Sequence, residues 1–70
     1  MPEYVTREEG CRLAAEKLGV PLTLPAIELA VSRGYGPKAA AKYGRRLLYK
    51  PDEFLNWVES RIEPMAGRAA

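Results

Sequence analysis

The 70-residue chain contains no histidine and a single cysteine, Cys11. A Cys/His zinc centre, a Ser-His-Asp triad and an internal disulfide are therefore excluded, as no partners for them exist. The chain also has no pair of carboxylates suited to a cleft, and a domain this small offers little volume for one, so neither an enzyme nor a cofactor is expected. No apolar run approaches the length of a membrane span. Met1-Pro2-Glu3-Tyr4 has neither the basic start nor the apolar stretch of a signal peptide, and a reducing cytoplasm is the expected compartment.

A further absence is local. From Arg33 to Lys50 the chain carries Arg33, Lys38, Lys42, Arg45, Arg46 and Lys50 and no acid, while all nine carboxylates lie elsewhere. The net charge is only +2, but the local field, not the sum, guides a polyanion to a surface. An edge hairpin kept soluble by its basic residues is the plainer reading of such a stretch, yet interspersed acids would serve that purpose equally well. Their absence favours contact with phosphate.

The remaining patterns divide the chain into short elements. Thr6-Arg7-Glu8-Glu9 has the form of a capping box and opens a helix from about Arg7 to Leu18, with Cys11, Ala14, Ala15 and Leu18 on one apolar stripe and Gly19 at its end. Pro25 suits the first turn of a second helix, about Leu24 to Arg33, stopped by Gly34. At 100° per residue Leu24, Ile27, Ala30 and Val31 share its inner face, and Pro25, Ala26, Leu29, Ser32 and Arg33 point outward. Ala40 to Tyr43 and Arg46 to Tyr49 can pair as a hairpin across Gly44-Arg45. Pro51, with Asp52 and Glu53 in the first turn, opens a third helix whose inner face is Phe54, Leu55, Val58 and Ile62, flanked by Trp57, before Pro64 blocks continuation. Residues 1–63 thus form one mainly α domain with a small β-hairpin, and residues 64–70 are expected to be a disordered tail.

Helix, helix, hairpin, helix is the order of a minimal winged helix-turn-helix. Tyr4-Val5-Thr6, the Leu18-Gly19-Val20 helix end, Lys42-x-Gly44-Arg45 before Leu48-Tyr49, and Pro51-Asp52-Glu53-Phe54-Leu55-Asn56-Trp57 resemble the excisionase and MerR-type small DNA-binding domains, over about Tyr4 to Ile62. The resemblance implies a recombination directionality factor, which binds and bends DNA near an attachment site and steers an integrase towards excision. Close relatives act as transcriptional regulators. Double-stranded DNA, an integrase and further copies of the chain bound cooperatively on DNA are the implied partners.

The wing contacts are expected from Lys42, Arg45, Arg46 and Lys50, with Arg45 and Arg46 foremost, since a guanidinium binds phosphate bidentately or enters a narrow minor groove. Glu28, Leu29, Ser32 and Arg33 are the candidates on the recognition helix. Excisionases usually carry arginine there, whereas this face is nearly uncharged and offers few bidentate base contacts. Arg7 and Lys38 are candidates for the DNA backbone, against the plainer readings of helix-surface pairing with neighbouring glutamates and of a solvated loop lysine. Tyr43 and Tyr49 either pack the wing against the third helix or offer a hydroxyl to phosphate. Phe54 and Trp57 are expected in the core, and Cys11 as a small hydrophobe. The alternative function is a protein-interaction adaptor that contacts an integrase or regulator through Pro25, Ala26 and Leu29.

Overall fold

The computed structural model describes residues 2–64, a small mixed α/β domain of three helices and a two-stranded antiparallel hairpin. Helix α1 (Arg7–Leu13) starts at the expected capping box: the Glu9 amide donates to Thr6 Oγ1 at 3.2 Å, and the Thr6 amide donates to Glu9 Oε1 at 2.9 Å. Such a cap stabilises a helix by about 1 kcal/mol. The helix continues through Ala14–Leu18 as a wider π-type turn, in which the Gly19 and Val20 amides both donate to the Ala14 carbonyl. Ala14 is fully buried and Cys11 half-buried, but Ala15, expected on the same stripe, is exposed where the turn widens.

Helix α2 (Leu24–Ser32) is capped by Thr23, whose hydroxyl accepts from the Ala26 amide at 3.4 Å, with Pro25 in the first turn. Ile27 and Ala30 are buried and Leu24 half-buried, while Val31, assigned to the inner face by projection, lies at the rim. There the connection returns close over it: a Cβ on Gly36 would sit 2.8 Å from the Val31 amide nitrogen. Helix α3 (Pro51–Ser60) begins at Pro51 with Asp52 and Glu53 in its first turn, as the sequence predicts. Its inner face is Phe54 and Val58, with Leu55 and Trp57 half-buried. Ile62 departs from the expectation. The Arg61 and Ile62 amides donate to carbonyls three residues back, and this tightened ending leaves Ile62 beyond the helix and 47% exposed.

Strands β1 (Ala41–Tyr43) and β2 (Arg46–Leu48) pair in the register Ala41 with Leu48, Lys42 with Leu47 and Tyr43 with Arg46. Next to β2, Tyr49 forms an isolated bridge with Val5: each amide donates to the other's carbonyl at 2.8 Å. Nothing in the sequence pattern anticipates this pairing.

Val5, Ala14, Ile27, Tyr49, Phe54 and Val58 form the core. Tyr49 and Phe54 meet edge to face at 5.6 Å between ring centroids, and Trp57 tilts against Phe54 at 6.4 Å. Gly10 allows α1 to approach this cluster, since a Cβ there would lie 2.6 Å from the Phe54 ring. A glycine inside a helix costs about 1 kcal/mol against alanine, and close packing on an aromatic ring is what it permits here. The expected tail of residues 64–70 lies, apart from Pro64, outside the described residues.

Candidate nucleic-acid interface

The hairpin tip is built by two local rules. Gly44 has φ +62° and Arg45 does not have a positive φ, the signs of a type II′ turn, whose twist matches that of paired strands. Arg45 consequently sits at the second turn position, and the pleat separates Lys42 and Leu47 from Tyr43 and Arg46. Towards the base of the hairpin the side chains become less accessible, whereas Tyr43 at the tip is 78% exposed. The choice left open for the two tyrosines resolves differently for each: Tyr49 is a core residue, and Tyr43 stands in solvent.

A groove of about 330 Å³ runs between the hairpin and the helices. Thr6, Arg7 and Glu8 at the start of α1, Leu24 and Glu28 of α2, and Arg45, Arg46 and Leu47 of the hairpin line it. Four of the sequence candidates, Arg7, Glu28, Arg45 and Arg46, are thus brought together. Three guanidiniums and two carboxylates border one depression, an arrangement able to donate several charge-assisted hydrogen bonds to an anion.

The other candidates lie outside it. Leu29, Ser32 and Arg33 are exposed on or just after α2, Lys38 is exposed in the connection to the hairpin, and Lys42 is exposed on β1. Lys50 is engaged elsewhere: its Nζ is 3.2 Å from Glu3 Oε2 and 4.6 Å from the centroid of the Tyr4 ring. The hydrogen bond to Glu3 holds the Lys50 ammonium above its ordinary pKa. The Cys11 thiol is likewise pushed up, first by burial and then by the nearby Glu8 charge.

Lys50 and Glu3 form the only side-chain ion pair among the described residues. Arg33, Lys38, Lys42, Arg45 and Arg46 therefore stand at the surface with no direct ion pair among the described residues, a condition that favours a field attracting polyanions. Arg7 is held differently: its Nε–H donates to the Tyr49 hydroxyl at 2.9 Å. Thr6, Glu8, Leu24 and Leu47 were not anticipated as groove residues, and the Tyr49 hydroxyl was not anticipated as the partner of Arg7. The neighbouring Val5–Tyr49 bridge was equally hidden, since the Tyr4-Val5-Thr6 segment is too brief to show strand alternation.

Among the described residues no helix is long and apolar enough to cross a membrane, and no three His, Cys, Asp or Glu side chains converge as a metal-binding group. Compared with known proteins, the chain matches no family profile, no curated protein and no solved structure.

Proposed function

We propose that this protein binds duplex DNA as a winged helix-turn-helix and acts as an excisionase-like recombination directionality factor. One observation carries the reading: Arg45 and Arg46, exposed at the tip of an acid-free hairpin and without carboxylate partners among the described residues, border a groove that also contains Arg7. The element order, with Val5 pairing to the base of the hairpin, is compatible with a winged helix. On this reading the wing grips phosphates or the minor groove while α2 enters the major groove with Leu29, Ser32 and Arg33 outermost. The near-neutral face of α2 shifts most of the affinity to the wing and leaves specificity to DNA shape and to cooperative assembly on repeated sites. Bending at an attachment site would then direct an integrase towards excision in the cytoplasm, with no chemistry or cofactor of the protein's own. Transcriptional regulation is a second use of the same surface.

The deciding experiment is a titration of duplex DNA with wild type and with Arg45→Ala/Arg46→Ala at several salt concentrations. Binding to every sequence should weaken, and the log-log salt slope should fall by about one for each phosphate that the variant no longer neutralises. Unchanged affinity and slope would sink the proposal. The adaptor reading rests on the exposure of Pro25, Ala26 and Leu29, the last at 48%. Leu29→Glu separates the two, because failure to capture the integrase at wild-type DNA affinity would favour the adaptor.

A further inference from the structure

Arg7 and Tyr49 are 42 positions apart, and the hydrogen bond between them joins the first turn of α1 to the base of the hairpin. The same two segments are joined again by the Val5–Tyr49 backbone bridge, with both bonds at 2.8 Å. Tyr49 is 1% exposed, its ring locked edge to face against Phe54. Its hydroxyl is consequently a fixed acceptor on a rigid part of the fold, and the Arg7 it holds lines the same groove as Arg45 and Arg46.

The chemistry of that acceptor matters. Glu8 and Glu28 line the same groove, yet Arg7 forms no ion pair with either and donates to the Tyr49 hydroxyl. A carboxylate would neutralise the guanidinium, whereas the neutral phenol takes only the Nε–H. The charge of Arg7 remains, and so do the four N–H donors on its two Nη atoms.

We infer that Tyr49 is a positioning residue for nucleic acid: its buried hydroxyl holds Arg7 ready, still charged, as the guanidinium that meets a backbone phosphate across the groove from Arg45 and Arg46. This inference rests on the DNA-binding reading above and adds a defined phosphate seat to it. Ordering a long side chain before the ligand arrives lowers the entropy cost of binding. In Tyr49→Phe the ring packing survives and the acceptor is gone, so Arg7 is released to rotate.

The test is a double-mutant cycle on the full chain, using wild type, Tyr49→Phe, Arg7→Ala and the double variant, titrated with a short duplex at several salt concentrations. Tyr49→Phe should weaken binding by about threefold to tenfold, the worth of ordering one such side chain at an interface. Arg7→Ala should weaken it further and lower the salt slope by about one. The double variant should bind like Arg7→Ala alone, because the hydroxyl acts only through Arg7. Nitrogen relaxation of the Arg7 Nε–H gives a readout independent of DNA, ordered in wild type and mobile in Tyr49→Phe. Wild-type affinity in Tyr49→Phe, additive effects in the cycle, or an equally mobile Nε–H in wild type would each overturn the inference and leave DNA binding standing. Absence of any wild-type binding to duplex DNA would overturn both.

Discussion

The two ends of the hairpin are opposites. At its base Tyr49 is 1% exposed, bonded through its backbone to Val5 and packed through its ring on the core; at its tip Tyr43 is 78% exposed and neighbours Gly44, Arg45 and Arg46. The base removes apolar area from water and contributes stability, whereas the tip holds charge in water and contributes almost none. One hairpin thus serves two purposes over a few residues, and the pleat and the turn keep them apart.

The strongest way to break the base is Phe54→Ala. It removes the ring that touches Tyr49, Trp57 and the face of Gly10, and a destabilisation of about 3–5 kcal/mol is expected in urea melts. Natural domains hold only about 5–15 kcal/mol in total, so much of the variant should unfold at moderate temperature. Gly10→Ala attacks the same seam from α1. The added methyl meets a ring that is itself packed against Tyr49 and Trp57, so overpacking should cost about 1–3 kcal/mol despite the better helix propensity of alanine. Equal or higher stability would mean that the ring can move.

The tip should respond in the opposite manner. Arg45→Ala/Arg46→Ala is expected to change stability by less than about 0.5 kcal/mol while altering DNA affinity and salt slope. A large fall in its melting temperature would erase the contrast between base and tip.

The smallest effect belongs to Glu3→Gln, which keeps an amide oxygen as acceptor but removes the carboxylate charge whose hydrogen bond raises the Lys50 pKa. A raised lysine pKa means that the folded state holds the proton more tightly than the unfolded state. Its contribution is therefore complete below the ordinary lysine pKa and is lost as the pH rises through the folded value. The pair is exposed, so neutral-pH melts should hardly change, and only the alkaline limb of the wild-type stability curve should differ from that of the variant. Identical alkaline limbs would assign no role to the pair.

The helices were legible because their signals are local. Thr6 with Glu9, Pro25, Pro51 and the glycines act on neighbours a few residues away, and Gly44 places the turn in the same manner. The groove was legible only in part: Arg45 and Arg46 are marked by the missing acids around them, but the approach of Glu8, Leu24 and Glu28 depends on how separate elements pack. The Arg7–Tyr49 hydrogen bond spans 42 positions, and no pattern in either segment encodes it. Ile62 was misplaced for a related reason, since helical projection assumes a helix that in fact closes at Ser60.

The Val5–Tyr49 bridge also governs how the molecule is made. Helix α2 has 9 residues and α3 has 10, both shorter than the roughly 12–15 at which an isolated helix becomes marginal in water, and α1 with its π-type continuation to Leu18 only reaches the lower end of that range. None is stable enough to persist alone, and the bridge closes a loop that encloses the first two and the hairpin strands. Folding is accordingly expected to be a single cooperative event in which chain closure and core formation coincide. A partly folded molecule would have no anchored hairpin, so the groove bordered by Arg7, Arg45 and Arg46 exists only once the whole domain has assembled.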